Sequence, residues 1–375
     1  MYLYVSQELL LAALTYVSKA VNSNSPQPIL SCVLIVAHSN GVTLRAMNSN
    51  MSIQYDIAAQ SSSISVNREG SIAVPARIFH EIIHKLPTEK VTIESQERIM
   101  MIRSSFGIYR LCGMNPNEFP DSALVGDEDS SCLSLPSLVL KKGIRQAFAV
   151  SPSETRPILT GISFELRNQT LQLTATDGIR LATTEINVPS CRCKDSRFIL
   201  PGKHALELAK MLPDDQTHTE IWIQSNQILF KSNQLQIVSC LLDGNYPPIR
   251  HLIPNTITSD ITVRTSRLLQ AVERVAILAG NHILKLCISS DQAMQIHSNT
   301  AEVGDVQEEV LLEERTGDAI TLFLNTKYLL DVMRFIQCET VHIQFSGQLS
   351  PIVIQPSDIQ SKSLYLVTPI RSHHY

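Results

Sequence analysis

Pro75-Ala-Arg77-Ile-Phe79-His-Glu81-Ile-Ile-His84-Lys85-Leu-Pro87 reads as a short amphipathic helix with a proline at each end. The same plan appears twice more. Pro201-Gly-Lys203-His-Ala-Leu-Glu207-Leu-Ala-Lys210-Met-Leu-Pro213 and Asn325-Thr-Lys327-Tyr-Leu-Leu-Asp331-Val-Met-Arg334-Phe-Ile-Gln337 each begin with a helix-start residue and place a base two positions later. An acid follows four beyond the base, and a base or His three after the acid. The starts are 126 and 124 residues apart. A fixed internal period is the signature of one structural unit copied along a chain. An apolar strand is predicted before each copy, over 71–74, 198–200 and 320–324, and another after it, near Val91, Ile221 and Val341.

A second block repeats ahead of the first. Ala20-Val21-Asn-Ser-Asn-Ser-Pro-Gln-Pro28-Ile29-Leu30 matches Ala149-Val150-Ser-Pro-Ser-Glu-Thr-Arg-Pro157-Ile158-Leu159, and the Pro-Ile-Leu triplets lie 129 residues apart. Alternating strands follow over 41–46 and 170–175. In the third copy the leading helix spans 266–280, with strands over 285–289 and 293–298. The unit is helix, strands, helix, strands. The expected fold class is α+β, with three similar domains over 1–125, 126–253 and 254–375. The polar run Gly126-Asp-Glu-Asp-Ser-Ser131 marks the first boundary and Pro254-Asn-Thr the second. The competing reading is chance likeness among amphipathic helices, against which stand the shared order and spacing of several elements.

The 375 residues are 44% apolar and 18% charged, enough to build real cores. No stretch approaches the ~20 apolar residues of a membrane span. Met1-Tyr2-Leu3-Tyr4-Val5-Ser6-Gln7-Glu8 has no basic region followed by an apolar run, so a cytoplasmic protein with no membrane partner is expected. Eight cysteines are scattered, and Cys191-x-Cys193 lacks the second ligand pair of a zinc site. Free thiols, no metal and no cofactor are expected.

Net charge is −4, but its distribution is uneven. Six predicted helices (7–22, 75–86, 136–150, 201–213, 266–281 and 325–337) together carry +7, leaving −11 for the rest. The candidate phosphate-facing bases are Lys19, Arg77, Lys85, Lys141, Lys142, Arg145, Lys203, Lys210, Arg274, Lys327 and Arg334. In helix 136–150 the apolar stripe is read as Leu140, Ile144, Ala147 and Phe148, with Lys141, Lys142 and Arg145 pointing away. An acid inside each basic triple weakens phosphate contact. Weak contact that ignores sequence suits a protein that slides on duplex DNA. The rival reading is an ordinary solvated helix face. Trp222 is the only tryptophan, so no stacking platform for single strands is seen.

Further stretches carry a resemblance over essentially the whole chain. They are Ser153-Glu154-Thr155-Arg156-Pro157-Ile158-Leu159-Thr160-Gly161, Ala175-Thr176-Asp177-Gly178-Ile179-Arg180-Leu181-Ala182, Leu242-Asp243-Gly244-Asn245-Tyr246-Pro247 and Val367-Thr368-Pro369-Ile370-Arg371. In order and spacing the chain resembles the bacterial DNA polymerase III beta subunit family. The resemblance implies three clamp domains, each with two helices facing a central channel and antiparallel sheets outside. It also implies a head-to-tail homodimer ring around double-stranded DNA. The implied partners are the DNA polymerase III alpha subunit, the clamp loader and other proteins carrying a clamp-binding motif.

The resemblance further implies a peptide cleft between the second and third domains, made by Arg156, Leu159, Thr176, Gly178, Arg180, Leu181, Pro247, Leu252, Asn325, Tyr328, Leu349, Pro351, Thr368, Pro369, Ile370 and Arg371. The implied subunit interface sets Tyr109 and Leu111 against Ile277 and Leu278. The chain departs from the family pattern in four places. Ile179 replaces a common His, Thr368 replaces a more apolar residue, the 22–25 loop lacks a base, and Ser372-His373-His374-Tyr375 extends the end.

Two rivals stand beside this reading. An enzyme is disfavoured because no Gly-x-Ser-x-Gly, Walker or His-Glu-x-x-His motif is present. A clamp-like scaffold that binds peptides without encircling DNA differs only in topology.

Overall fold

A computed structural model describes the chain except residues 23–24, 60–62, 88, 122–130, 189–194, 301–302, 359–361 and 372–375. The polar linker, the Cys191–Cys193 pair and the C-terminal extension therefore lie wholly or largely outside the described residues, as does the centre of the 22–25 loop.

All six expected helices form, as α1 (Gln7–Val17), α2 (Ala76–Lys85), α3 (Ser137–Gln146), α4 (Gly202–Met211), α5 (Thr265–Leu278) and α6 (Thr326–Phe335). Their local causes are plain in α2 and α6. In α2 the buried Ala76, Phe79 and Ile83 recur at helical spacing, while Arg77, Glu81, His84 and Lys85 face water. In α6, Asn325 Oδ1 accepts from the backbone N–H groups of Lys327 (2.9 Å) and Tyr328 (3.2 Å), satisfying two donors at the helix start.

The residues fall into two compact units. The first is built on Met1–Leu140 and Glu207–Leu241. It holds a five-stranded sheet that begins at Ile64–Arg68 and ends at Gly107–Cys112, so the latter is an edge strand. It also holds an eight-stranded sheet, in which Leu235–Cys240 pairs antiparallel with Met51–Ala58. The second unit is built on Lys141–Ser190, Lys194–Leu206 and Leu242–Tyr375. Its twelve-stranded sheet continues through the antiparallel pairing of Arg180–Asn187 with Leu364–Val367. Alternate residues of Leu235–Cys240 and Thr340–Phe345 are buried, as period-2 patterning requires. Cys32, Cys112, Cys240, Cys287 and Cys338 are free thiols. Among the described residues no helix is long and apolar enough to cross a membrane.

Helix α3 corrects the sequence reading twice. It ends at Gln146, so Ala147 and Phe148 do not continue its stripe. Phe148 instead stacks on Phe335 (ring centroids 4.7 Å apart) and Tyr365 (5.9 Å). Lys141 is only 5% exposed, because the buried face of α3 runs Ser137, Leu140, Lys141, Ile144. Lys141 lies four residues past Ser137 and three before Ile144, on the inner stripe. Gly143 shares that burial: a β-carbon there would meet Ile186 Cδ1 at 2.6 Å, so the glycine permits helix and strand to approach closely.

Candidate functional site

The residues expected to form a cleft all fall in the second unit, and the hairpin 176–181 organises them. Gly178 has φ +92°, a conformation that favours glycine. Asp177 Oδ1 accepts from the backbone N–H of Ile179 and of Arg180, each at 2.9 Å, which fixes the turn. Its other oxygen takes Arg180 Nε at 3.0 Å. The guanidinium then reaches Asp331 on α6 at 2.5 Å and lies 4.5 Å above the Tyr328 ring. With its side chain only 11% exposed, Arg180 is an internal strut between hairpin and helix. Its Nε and Nη1 donors and its ring contact are already engaged.

Several other expected residues also serve the scaffold. Thr176 is buried: its hydroxyl donates to Arg180 O at 2.7 Å and accepts from Gly178 N–H at 3.1 Å. Thr176 N–H donates to the Tyr246 hydroxyl at 2.9 Å. Burial pushes the Tyr246 phenol up to about 12, against the lowering effect of the Thr176 N–H bond. Leu159 packs with Ile199 and Tyr246. The C-terminal segment is tied down by Thr368 N–H to Ile179 O (3.1 Å) and Ile370 N–H to Phe323 O (2.8 Å), with Pro369 buried between.

What faces outward is an apolar set with two arginines beside it. Ile179, Leu252 and Leu349 are 49%, 40% and 58% exposed, and Pro247, Arg156 and Arg371 are exposed as well. Arg156 Nη1 lies 3.8 Å from where a Gly178 β-carbon would sit. Pro247 and Leu252 come from the connection after Cys240; Leu349 and Pro351 come from the loop before Ile352–Pro356. Beneath the seam is a cluster that the sequence reading passed over in part. Leu181, Val353 and Leu366 are buried together, with Ile249, Ile253 and Leu364 packed on them. The short continuous apolar runs Ile352-Val353-Ile354 and Leu364-Tyr365-Leu366-Val367 were the signal that could have found them. A 470 Å³ groove on the same seam is lined by Ile253, Leu364, Thr183, Glu185, His342 and Lys362 among others. None of the expected cleft residues lines it.

The candidate phosphate-facing bases are exposed, apart from Lys141. Several are paired. Arg77 Nε meets Glu81 at 3.1 Å, Lys210 Nζ meets Glu207 at 2.7 Å, and Arg334 meets Glu273 at 3.4 Å. Arg274 holds Glu308 through two bonds of 2.7 and 2.8 Å. That bond and the positive charge hold the Glu308 carboxyl below its usual range. Lys85, Lys142, Arg145, Lys203 and Lys327 make no ion pair among the described residues.

At the expected interface, Tyr109 on the edge strand is 37% exposed and Leu111 half-buried. Its neighbours Ile108 and Phe106 are 57% and 80% exposed. On α5, Ile277 is 80% exposed and Leu278 half-buried.

Three family models cover the chain: the DNA polymerase III beta subunit N-terminal domain over residues 1–124, its central domain over 134–248 and its C-terminal domain over 250–371. A beta sliding clamp from Halalkalibacterium halodurans is 34% identical over 383 residues, covering 100% of both chains. One from Bacillus subtilis is 34% identical over 378 residues, covering 98% of this chain and 99% of the other. The crystal structure of the Bacillus subtilis DNA polymerase sliding clamp superposes with TM-score 0.93 at 33% identity, over 100% of each chain. A Pseudomonas aeruginosa sliding clamp bound to griselimycin gives 0.90 at 26% identity, over 99% of this chain and 100% of the other. With three clamp domains built from paired helices and antiparallel sheets, the chain belongs to the DNA polymerase III beta subunit family.

Proposed function

We propose that this DNA sliding clamp closes, as two copies head to tail, into a ring around duplex DNA, and that it tethers a polymerase and other proteins through the 176–181 seam. It acts as a non-catalytic accessory. The observation that carries ring closure is a pattern of strand pairing. The last strand of the second repeat, Leu235–Cys240, pairs with Met51–Ala58 of the first. The last strand of the third, Leu364–Val367, pairs with Arg180–Asn187 of the second. By the same rule the last strand of the first repeat, Gly107–Cys112, needs the outer edge of Gly304–Gly317 in a third repeat, and a second copy supplies it.

The covered seams give the register. Met51 pairs with Ser239, and Arg180 with Val367. Carried over through the hairpins Ser232–Leu235 and Ser104–Gly107, that register sets Leu111 opposite the partner's Gly304, Arg110 opposite the partner's Asp305 and Tyr109 opposite the partner's Val306. An opposite-charge pair and an apolar pair then face each other across the ladder.

The exposed Ile179, Leu252, Leu349 and Pro247 supply apolar anchorage for a short linear motif, and Arg156 and Arg371 supply exposed charge at its rim. The bound griselimycin of the Pseudomonas aeruginosa relative supports a ligand site in this family. Retention tests the ring: loaded protein should stay on nicked circular DNA and leave when the circle is cut. Equal retention on linear DNA would instead favour a scaffold that binds DNA or peptide from outside.

A further inference from the structure

Two groups stand out among the exposed bases on the helices. Lys85, Lys142, Arg145, Lys203 and Lys327 make no ion pair among the described residues. Arg77, Lys210 and Arg334 each carry a carboxylate partner: Glu81 one turn along the same helix, Glu207 three residues before, and Glu273 across on α5. The basic side chains are 85%, 62% and 55% exposed and their acids 58%, 27% and 46%, so the pairs lie largely open to water, with Glu207 the most enclosed. Water and salt screen such a pair, so it biases its base by a factor of only about two to five.

That bias has the right size to matter for sliding. A phosphate must either displace the carboxylate or meet a base already neutralised. In both cases fewer counterions leave the duplex, and the binding depends less on salt. Were the bases free, each would add about 0.9 to the slope of log affinity against log salt. A ring that must move along DNA is better served by a shallow grip.

We propose that Glu81, Glu207 and Glu273 are internal counterions that set how strongly the clamp grips the phosphate backbone, and hence how freely it moves. The inference rests on the sliding reading above. It assigns to these acids a role that a solvated helix face does not require. Neutralising a mere surface acid changes net charge alone, whereas neutralising these acids unmasks a particular base.

The test compares two triple variants of the full chain that carry the same change in net charge. One is Glu81→Gln, Glu207→Gln, Glu273→Gln. The other is Glu97→Gln, Glu314→Gln, Asp318→Asn, all exposed, off the helices and in no ion pair among the described residues. Affinity for a short blunt duplex is measured across a salt series, and one-dimensional diffusion is measured for protein loaded on nicked circular DNA. The helix triple is expected to steepen the salt slope by about 2–3 and to slow diffusion several-fold, with the second triple staying near the parent. An unchanged slope, or an equal rise in both triples, overturns the proposal. The parent protein is read first: if it is not retained on nicked circles, the sliding reading itself fails. Matched thermal unfolding of the three proteins excludes a folding defect.

Discussion

The strand Arg180–Asn187 and the strand Gly304–Gly317 occupy matching places in two repeats, yet only the first has its outer edge covered along its opening residues. Leu364–Val367 lies against it, with Arg180 opposite Val367 and Leu181 opposite Leu366. There the side chains close over a buried apolar cluster, and the hairpin is braced to α6 through Arg180. Among the described residues, the opening residues of Gly304–Gly317 pair only with Ala293–Thr300. Gly107–Cys112, the strand that would complete them, is itself an uncovered edge. A sheet edge exposes unpaired backbone groups, and proteins blunt, charge or cover such edges. Here the third repeat shows charge, with Asp305, Glu308 and Glu309 on the open strand, and the first shows apolar side chains with Arg110 among them. Opposite dressings on two open edges suit each other and ill suit self-pairing.

The largest effect is expected where the comparison can be broken outright. Tyr109→Asp with Leu111→Asp puts two carboxylates into the proposed ladder, at about 2 kcal/mol or more each. Dimer affinity should then fall on the order of 1,000-fold or more. Solution mass at micromolar concentration should drop to 41.7 kDa, the value for one chain. A variant that keeps twice that mass would remove the edge assignment.

The covered seam should respond differently, in stability. Arg180→Ala leaves Asp177, whose side chain is 8% exposed, without its cation. Breaking a largely buried pair costs about 3 kcal/mol, read as a lower urea midpoint. Oligomer mass should hold if seam and edge are independent.

The smallest expected effect sharpens the seam further. Tyr246→Phe removes the hydroxyl that accepts the Thr176 N–H, at about 1 kcal/mol near neutral pH. The phenol titrates near 10 in the unfolded chain and about 12 in the fold. The neutral form is the one the fold prefers, so its stabilisation is complete below pH 10 and is lost as pH rises towards 12. Urea midpoints taken across that window should decline less steeply in the Phe variant; parallel curves would show that Tyr246 does not report on the seam.

These sites also mark how far the sequence could be read. The helices were legible because buried residues recur at helical spacing, and the repeat was legible because that spacing came back with its charges. The end of α3 was not, since Ala147 and Phe148 continue an apolar stripe on paper while Phe148 turns aside to stack on Phe335. Lys141 was misassigned for a related reason. Its angle on the helix sits between stripe and rim, and only the neighbouring sheet decides which. The cleft residues are assigned by resemblance alone, which left the work of Arg180 hidden. Its partner Asp331 is 151 positions away in the chain, a distance no local pattern spans. Asn325 was likewise expected in a ligand site, whereas its side-chain oxygen caps α6.

The two kinds of seam would also differ under load. Where one repeat hands its sheet to the next within a chain, the connecting backbone runs alongside, so tension is shared with covalent bonds. At the proposed joint between copies, only ladder hydrogen bonds and a narrow apolar strip would resist separation. A machine that has to pry the circle apart would find its weakest point there, and could let the joint snap shut afterwards without having unfolded anything.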